Sequence, residues 1–500
     1  MKVHLLHPDR DLDLGAAMPP ESEALVEDLT LEPILMAMAG GDTLFLQVAR
    51  QVLLAATSAE PAVVGYRQDA LADCLAHRDA VRALYECAGQ GLQDVRNLGF
   101  LRLYSHSPGT TLFGALRVIE AIAKTLRRLR TLAEEMRTAF RSDAFGRLFT
   151  TVLAELTDDF FAAVERHREE LSSDGGLLLS ARLGPGNRGV DLTLRRPKAR
   201  RRRWLDRIVG ERDDGLSFTI AARDESGHSA LREIRDAAVN EAANALAQAN
   251  DHMLAFFTQL RAELAFYLGC ARLEETLRTL GIGVCRPVAH PAATRELRVR
   301  ALVEVSLALR QGASVVANDL DADGRSPIVV TGANRGGKTT FLRALGQAQC
   351  MMAAGMFVAA GEFHASLSGR LFTHFPREED PSMTGGRLDE ELRRLRAIVE
   401  RLDVDDVLLL NESFASTNEA EGSELARQVI GALSERGVRV VFVTHLYSFA
   451  RAWAAEGRDG GLFLRAERLA DGERTFRILP GPPLETSYAD DGATRTRMAA

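Results

Sequence analysis

Apolar residues recur every three or four positions through most of residues 1–290, which is the spacing of one face of an α-helix. The most regular stripe covers residues 112–136, and another covers 229–280, where there is no proline and only one glycine. Shorter stripes occupy three further segments, 44–54, 66–88 and 149–164. We therefore predict a helical region over residues 1–290. Its last helix is either the core helix of a bundle or a lever between distant sites.

The hydrophobic pattern changes over about residues 175–222, where short apolar runs are separated by turn residues. Residues 175–183 and 190–194 are candidate strands, and a Gly-Pro-Gly-Asn turn at 184–187 joins them. Residues 216–220 form a third candidate strand. The sequence therefore predicts a small β insertion within the helical region.

The densest cluster of positive charge in the chain, residues 195–203, lies within this insertion and is followed by Trp204. Arginine and lysine side chains bind nucleic-acid phosphates, and a tryptophan ring stacks on bases. The alternative is a solvated loop without a ligand. The sequence leaves both interpretations open.

From Ser326 onward, short apolar runs alternate with helical stripes, which is typical of a mostly parallel sheet with helices on both faces. The candidate strands are 328–331, 371–374, 407–410 and 438–443, an antiparallel pair at 460–465 and 475–479, and two earlier strands at 297–309 and 313–316. The predicted fold class is therefore α + α/β, with a helical domain at 1–290 and an α/β domain at 291–481. Residues 482–500 are predicted to be a mobile tail.

The candidate chemistry begins with the loop between the strand at 328–331 and the following helix. It contains Gly332-x-x-x-x-Gly337-Lys338-Thr339, the phosphate-binding pattern G-x-x-x-x-G-K-[ST]. Glycines let successive backbone N–H groups face phosphates, and the helix N-terminus adds positive potential. We expect Lys338 to reach the β- and γ-phosphates of a nucleoside triphosphate and Thr339 to ligate magnesium. The alternative, a turn with a chance lysine, is disfavoured by the flanking strand and helix. The predicted nucleotide-binding residues of the loop are Gly332, Ala333, Asn334, Arg335, Gly336, Gly337, Lys338, Thr339 and Thr340.

A second element, Asn411-Glu412, ends the apolar run at 407–410. Nucleotide hydrolases place a magnesium-organising carboxylate and a water-polarising carboxylate at such a strand end, and here asparagine occupies the first position. An amide can hydrogen-bond a magnesium-bound water but lacks the charge that hard cations favour. We predict that Glu412 is the general base that orients the attacking water, and that Thr339, Asn411 and Glu412 contact the magnesium ion.

Two further elements are candidates for the same site. His445 follows the strand at 438–443, at the sheet edge where α/β proteins bind ligands. We predict that it is catalytic, by sensing the γ-phosphate or holding the attacking water, with a structural histidine as the alternative. Gly385 and Gly386 open a predicted helix and suit a phosphate held by another subunit, so they are also predicted nucleotide-binding residues.

These elements, in this order, resemble the ATPase domain of the MutS family of DNA mismatch repair proteins. Residues 331–340 are similar to the family's T-G-P-N-M-G-G-K-S-T loop, and residues 355–360, Gly-Met-Phe-Val-Ala-Ala, to its G-x-[FY]-V-P-A step. Residues 411–422 are similar to the D-E-x-x-x-G-T-x-x-x-[DE]-G segment, and Thr444-His445 to the T-H switch.

The resemblance covers about residues 297–480 and includes Asn318-Asp319, which is similar to the N-D of the strand before the loop. The earlier helices are similar to the family's core and lever domain in a less specific way. The resemblance implies an ABC-type P-loop ATPase that binds ATP and magnesium and acts on DNA as a homodimer, in DNA repair. In such a dimer, Gly385-Gly386 of one subunit closes on the phosphates of the other.

The sequence departs from the family pattern in several places. We find no Phe-x-Glu wedge of the kind that probes mismatches, the helical part is short for a full clamp, and we expect no nuclease-like extension. Asn411 replaces the usual aspartate, and Val315 stands where an aromatic ring usually stacks on adenine. We therefore expect DNA binding without mismatch specificity and slow ATP hydrolysis. The alternative function is a nucleotide-gated binding module for a protein or RNA partner, with slow or no hydrolysis.

Composition and charge narrow the possible partners. The chain is 46% hydrophobic with a net charge of −7, so it is globular and has no overall basic field for nucleic acid or acidic membranes. DNA binding therefore needs a local patch, and the helix at 112–136 offers one, with a solvated polar face as the alternative. Its basic residues are Lys124, Arg127, Arg128 and Arg130.

The five cysteines lack metal-ligand spacing, and we find no signal peptide or membrane-spanning run, so we expect a cytoplasmic protein without a membrane partner.

Overall fold

The computed structural model describes most of the chain and places it in two compact units. The described residues are 1–55, 60–98, 107–171, 178–187, 189–195, 219–377, 386–456, 460–469 and 473–483. The first unit contains Met1–Val3, Arg82–Ala139 and Gly146–Arg261, and the second contains His4–Val81, Phe140–Phe145 and Ala262–Ala500.

The described residues form helices and strands in the following order. The α-helices are α1 (Ser22–Asp28), α2 (Glu32–Ala39), α3 (Thr43–Ala55), α4 (Pro61–Ala76), α5 (Arg78–Asn97), α6 (Pro108–Met136), α7 (Asp143–Glu155), α8 (Asp158–Leu171), α9 (Glu225–Thr279), α10 (Val305–Gln311), α11 (Lys338–Ala353), α12 (Arg387–Val399), α13 (Glu419–Glu435) and α14 (Tyr447–Ala455). The strands are β1 (Leu178–Leu183), β2 (Gly189–Arg195), β3 (Val288–His290), β4 (Leu297–Leu302), β5 (Asn318–Asp321), β6 (Ile328–Thr331), β7 (Glu362–Ser366), β8 (Leu371–His374), β9 (Val407–Asn411), β10 (Arg439–Val443), β11 (Leu462–Arg468) and β12 (Arg474–Pro480). None of the described helices combines the length and the apolar content needed to cross a bilayer.

The first unit is built on α6 and the N-terminal part of α9. Both helices were predicted, from the stripes at 112–136 and 229–280, and both are confirmed. Leu112 of α6 packs in a buried cluster with Val239 and Ala243 of α9. The two apolar stripes are therefore partners that remove each other from water.

Two of the three strands predicted within the β insertion at 175–222 are present, while the bounds of the insertion stay a prediction. Strands β1 and β2 pair antiparallel as a hairpin. Of the third candidate strand, only residues 219 and 220 are described, and they lie in no strand. Most of the basic run, residues 196–203, and Trp204 lie outside the described residues, so their role stays a prediction.

Two stripes predicted as single helices each form two helices. The stripe at 66–88 forms α4 and α5, because His77 between them has φ −129° and ψ 47°, outside the helical region. The stripe at 149–164 forms α7 and α8, because the Thr157 hydroxyl accepts a hydrogen bond from the Phe160 N–H at 3.2 Å and so begins a new helix. The periodicity hides both breaks, since apolar positions continue on either side of them.

The second unit contains a six-stranded sheet in the order β12-β11-β6-β10-β9-β8. The strands from β11 to β8 run parallel, and β12 pairs antiparallel with β11, as predicted. Leu408 and Leu410 of β9 pack in one core with α13 and α14, whereas Leu409 lies on the other face, against α11 at Gly346. Helices therefore cover both faces, which explains why the central strands are continuous apolar runs.

A second sheet of the same unit, in the order β3-β7-β4-β5, corrects two predictions. The strand predicted at 297–309 is wrong in its second half, because the Glu304 side chain caps α10 there. The strand predicted at 313–316 is also wrong, because these residues lie between the left-handed Gly312 that ends α10 and the start of β5. Strands β3 and β7 were not predicted.

The N-terminal helices of the second unit pack against α11. Gly346 is close to Leu29, and any side chain at position 346 would collide with it. The Gln347 amide donates a hydrogen bond to the Leu29 carbonyl at 2.9 Å, and Arg343 donates to the Asp28 carbonyl at 2.8 Å. Residues 4–81 thus share a compact unit with the parallel sheet, while the domain boundary expected after residue 290 stays a prediction.

Candidate nucleotide-binding site

The glycine-rich loop lies between β6 and α11, as the sequence predicts. Gly332 has a φ of 126° and Gly337 a φ of 91°, conformations that residues with a side chain rarely adopt. A Cβ at Gly332 would also lie 2.9 Å from the Cβ of Ala466. Helix α11 begins at Lys338, directly after the loop. The first N–H groups of a helix have no partner within it, so this end of α11 suits an anion.

The Lys338 ammonium folds back over this loop. Its Nζ donates hydrogen bonds to the carbonyl oxygens of Gly332 at 2.9 Å and Ala333 at 3.0 Å. Burial lowers the pKa of Lys338 to about 8, although the charge of Glu412 acts in the opposite direction. A bound phosphate would offer this lysine charged acceptors in place of two neutral carbonyls.

The predicted magnesium ligands meet at the carboxyl ends of β6 and β9. The Thr339 hydroxyl donates a hydrogen bond to Asn411 Oδ1 at 3.0 Å, so two neutral oxygens lie side by side. Glu412, the third predicted ligand, uses one carboxylate oxygen for His445. Magnesium keeps several waters and takes further ligands from substrate phosphates, so these oxygens fit such an ion. Within the described ranges, no three His, Cys, Asp or Glu side chains lie close enough together to hold a metal by themselves.

Glu412 and His445 form a hydrogen-bonded pair. His445 Nε2 lies 2.8 Å from Glu412 Oε1, and both side chains are partly buried. This hydrogen bond lowers the pKa of Glu412; burial opposes the lowering, and the charge of Lys338 adds to it. The Glu412 N–H donates to the Val443 carbonyl at 2.7 Å, which fixes it beside β10. The carboxylate is therefore ionised at neutral pH and can accept a proton.

Several of these residues line one cavity of about 430 Å³. Lys338, Thr339 and Glu412 contribute polar side chains to its lining. The lining also includes residues of α10, of the segment before β5 and of the start of β5, namely Leu307, Gln311, Ser314, Val315, Val316 and Asn318. The volume is within the range of small-molecule pockets. The cavity lining therefore combines polar groups that suit phosphates with apolar side chains that suit a base.

An aromatic residue of this cavity, Phe476 of β12, was missed in the sequence. It has a φ of 59°, and 47% of it is exposed. The Asn318 amide fixes this part of β12, since it donates to the Phe476 carbonyl at 3.3 Å and accepts from the Ile478 N–H at 2.7 Å. Val315 lines the same cavity, so the cavity contains an aromatic ring although position 315 does not supply it. No local sequence motif predicts the position of Phe476. It lies near the glycine-rich loop because of the order of the strands in the sheet, which is not visible in the local sequence.

The predicted loop residues contribute to the site in different ways. The residues from Arg335 to Thr340 line the cavity. Gly332 and Ala333 contribute the carbonyl oxygens that hold Lys338. Asn334 is exposed. The loop therefore presents mainly its second half to a ligand.

The remaining predicted residues are His445, Gly386 and Gly385, of which the structure describes the first two, and neither of these two lines the cavity. His445 adjoins the cavity through its hydrogen bond to Glu412. Gly386 is exposed immediately before α12 and is not among the residues that line the cavity. Gly385 lies outside the described residues. A phosphate contact by these two glycines across a dimer stays a prediction.

A buried strand, a glycine-rich loop and a helix that begins with lysine make up the P-loop class of nucleotide-binding domain. Comparison with known families agrees with this class. Residues 328–458 match the family model described as MutS domain V, and residues 59–280 match the one described as the MutS2 N-terminal domain. The two matches confirm the resemblance to the MutS family found in the sequence.

Individual relatives match parts of the chain. The endonuclease MutS2 of Thermus thermophilus is 34% identical over 146 residues, which cover 29% of this chain and 19% of that protein. The endonuclease MutS2 of Brevibacillus brevis is 26% identical over 265 residues, or 52% of this chain and 28% of that protein. The DNA mismatch repair protein MutS of Chloroflexus aurantiacus is 27% identical over 180 residues, or 33% of this chain and 19% of that protein. The chain thus spans between about a fifth and somewhat over a quarter of the length of these relatives.

Proposed function

We propose that this chain binds ATP with magnesium in the 430 Å³ cavity and hydrolyses it. The observation that carries the proposal is Glu412, an ionised carboxylate that lines the cavity beside Lys338 and Thr339 and is held 2.8 Å from His445. A carboxylate in this place can orient a water and accept its proton during attack on the γ-phosphate. The match of residues 328–458 to MutS domain V supports the same activity.

Different side chains of the cavity would bind the phosphates, the base and the magnesium ion. Lys338 exchanges the carbonyls of Gly332 and Ala333 for the β- and γ-phosphates, and Phe476 faces the base. Thr339 and Asn411 would hold magnesium, which neutralises phosphate charge when it is bound. Because Asn411 is neutral, we propose that hydrolysis is slower than an aspartate at this position would allow.

We further propose that nucleotide binding closes a homodimer that grips DNA, in a DNA repair process. The dimer contact would be made by Gly385-Gly386 on the partner's phosphates. For DNA, the first unit offers a basic face on α6, on which Lys124, Arg127 and Arg128 are exposed. The relatives named as a DNA mismatch repair protein and an endonuclease support this role.

A second candidate function is a nucleotide-gated binding module for a protein or RNA partner, with slow or no hydrolysis. The neutral Asn411 favours it, because a site with weaker magnesium binding suits a switch better than a fast hydrolase. The net charge of −7 favours the protein partner of this candidate, since the chain as a whole repels polyanions.

DNA titration separates the two functions. Labelled homoduplex, mismatched and branched DNA are titrated with and without ATP at several salt concentrations. The leading proposal expects binding that is ATP-dependent and weakens with salt. Arg128→Glu on α6 should weaken binding, and Arg451→Glu, an exposed arginine on α14, is the control. The absence of salt-sensitive binding to all three DNAs would reject the DNA function in favour of the second candidate.

A further inference from the structure

A buried carboxylate ties α12 to the segment that follows Glu412. Glu391 lies within α12 and is 9% exposed. Its Oε1 accepts a hydrogen bond from the Phe414 N–H at 2.5 Å, and its Oε2 accepts one from the Ser416 hydroxyl, also at 2.5 Å. Both oxygens of this side chain are therefore used by residues two and four positions after the proposed base.

A second link runs beside the first, from His374 at the end of β8. Its Nδ1 lies 2.7 Å from the Ser413 hydroxyl oxygen, and its Nε2 lies 3.3 Å from the Glu391 carbonyl. A carbonyl only accepts, so the tautomer with the proton on Nε2 satisfies the contact to Glu391, and the Ser413 hydroxyl also lies 3.3 Å from the His374 carbonyl. Burial lowers the pKa of His374 to about 4, and Arg394 acts in the same direction, so the ring is neutral at pH 7. Residues 413–416 are thus held by both β8 and α12.

The backbone held by these links is unusual. Glu412 has a φ of 53° and Phe414 a φ of 68°, in the left-handed region that non-glycine residues rarely occupy. The Phe414 ring is fully buried, and α13 passes so close to the Phe414 carbonyl that Gly422 has no room for a side chain. Such a backbone persists only where its surroundings hold it. The hydrogen bond to Glu391 is one of the contacts that do so.

Glu412 also has space on the side of α12. It lines a second cavity of about 150 Å³, whose walls include Glu391, Arg394 and Ser416. It therefore stands between the nucleotide cavity and the cluster around Glu391. If the links to α12 loosened, the carboxylate would have room to turn away from the nucleotide.

We propose that Glu391 is a positioning residue for Glu412, and that it makes the hydrolytic geometry depend on the position of α12. This inference rests on the proposed function, because it takes Glu412 as the base and Gly386, just before α12, as part of the turn that meets the partner subunit. A shift of α12 on dimer closure moves Glu391, which carries Phe414 and Ser416 with it and aligns Glu412 with the attacking water. Hydrolysis in each subunit then waits until its own α12 has engaged the other subunit.

A double-mutant cycle on the full chain tests this coupling. The ATP dissociation constant and the single-turnover hydrolysis rate are measured for the wild type, Glu391→Ala, Glu412→Gln and the double variant. A misplaced catalytic group costs on the order of 10²-fold, so Glu391→Ala should lower the rate about 10- to 100-fold and change the ATP dissociation constant less than about threefold. In the Glu412→Gln background the same change should alter the residual rate by less than about twofold, because Glu391 acts through Glu412.

Two further variants complete the test. Glu400→Ala is the matched control, because Glu400 also belongs to the α12 region but is exposed and pairs with Arg396, so its rate and affinity should equal those of the wild type. Ser416→Ala removes one of the two hydrogen bonds to Glu391 and should give a smaller loss of rate with unchanged affinity. It serves as the test variant if Glu391→Ala does not fold.

Three results would overturn the inference alone: equal fold losses of rate in both backgrounds, a loss of affinity that matches the loss of rate, or a wild-type rate in Glu391→Ala. A wild-type rate in Glu412→Gln would instead overturn the proposed function, and the inference would fall with it. The two failures are therefore distinguishable in one data set.

Discussion

Thr339 Oγ1 lies 3.0 Å from Asn411 Oδ1, so the helix after the glycine-rich loop and strand β9 present two neutral oxygens at one point. Hard cations favour charged oxygen ligands, and the carboxylate of Glu412 next to this pair is already hydrogen-bonded to His445. The site thus combines an ionised carboxylate, the proposed base, with two neutral oxygens as proposed magnesium ligands. This combination is the basis of the proposal that hydrolysis is slow, and it leads to the first prediction.

Asn411→Asp should raise ATP turnover about tenfold, equivalent to about 1.4 kcal/mol of activation free energy, because the added charge binds magnesium more tightly at the phosphates. The magnesium concentration that gives half-maximal turnover should fall in parallel. Both quantities come from steady-state assays over a magnesium series. Asn244→Asp, which adds the same charge at an exposed position of α9, should change neither. Unchanged turnover in Asn411→Asp would refute the idea that missing charge limits the rate.

Nucleotide affinity should depend on pH through Lys338, whose pKa is lowered to about 8 by burial. The free lysine is charged below this pH and loses its proton above it, whereas bound phosphates hold the charged form. Affinity for ATP should therefore be constant below about pH 7 and fall up to about tenfold per pH unit above pH 8, until the pKa of the complex is reached. Calorimetric or fluorescence titrations over this range measure the effect.

Lys338→Arg is the control for this titration. Arginine stays charged over the whole range, so the variant should bind ATP more weakly than the wild type but with an affinity that does not change with pH. A pH profile shared by the variant and the wild type would assign the dependence to another group. A flat profile in the wild type would show that Lys338 does not titrate in this range.

The sequence predicted those elements that can be recognised from a few consecutive residues. Strands β6 and β8 have the predicted bounds, and each is a short, fully buried segment that begins with apolar residues. The loop from Gly332 to Thr339 was predicted for the same reason, since the order of its residues along the chain determines its geometry. Breaks such as the one at His77 were not visible, because the apolar period continues across them.

The residues that the sequence did not reveal depend on contacts between distant segments. Phe476 reaches the cavity because β12 pairs with β11 at the edge of the sheet, next to the glycine-rich loop. Glu391 is one of many charged residues in its helix, and only the position of Phe414 and Ser416 beside it gives it a specific partner. Strand order and helix docking are long-range properties, so periodicity and motif spacing cannot supply them.

Glu412→Gln should keep ATP bound and lose turnover by about 10²- to 10⁴-fold, the usual contribution of a general base. The amide preserves the shape of the side chain, so the ATP dissociation constant should stay close to that of the wild type. Rapid filtration of bound radiolabelled ATP and a phosphate-release assay measure the two effects. Glu435→Gln, at the far end of α13, is a control with the same chemical change. Retained turnover in Glu412→Gln would contradict its assignment as the base.

His445→Ala should shift the acidic limb of the turnover profile to higher pH. The hydrogen bond from His445 lowers the pKa of Glu412, so its loss raises that pKa towards the ordinary glutamate value, and the base becomes protonated at a higher pH. Turnover at neutral pH should also fall, because the carboxylate loses the contact that orients it. The pH dependence of single-turnover rates checks the direction of the shift. A shift to lower pH, or none, would reject this role of His445.

Phe476 should contribute to ATP affinity by stacking on the base. Stacking of a base on an aromatic side chain contributes about 1–3 kcal/mol, so Phe476→Ala should weaken ATP binding about 5- to 100-fold. Tripolyphosphate, which has the phosphates without the base, should bind the variant and the wild type equally. Phe113→Ala, which removes an exposed ring on α6, is the matched control. Because the backbone of Phe476 lies against Gly337, equal weakening of both ligands would indicate a disturbed glycine-rich loop instead of lost stacking.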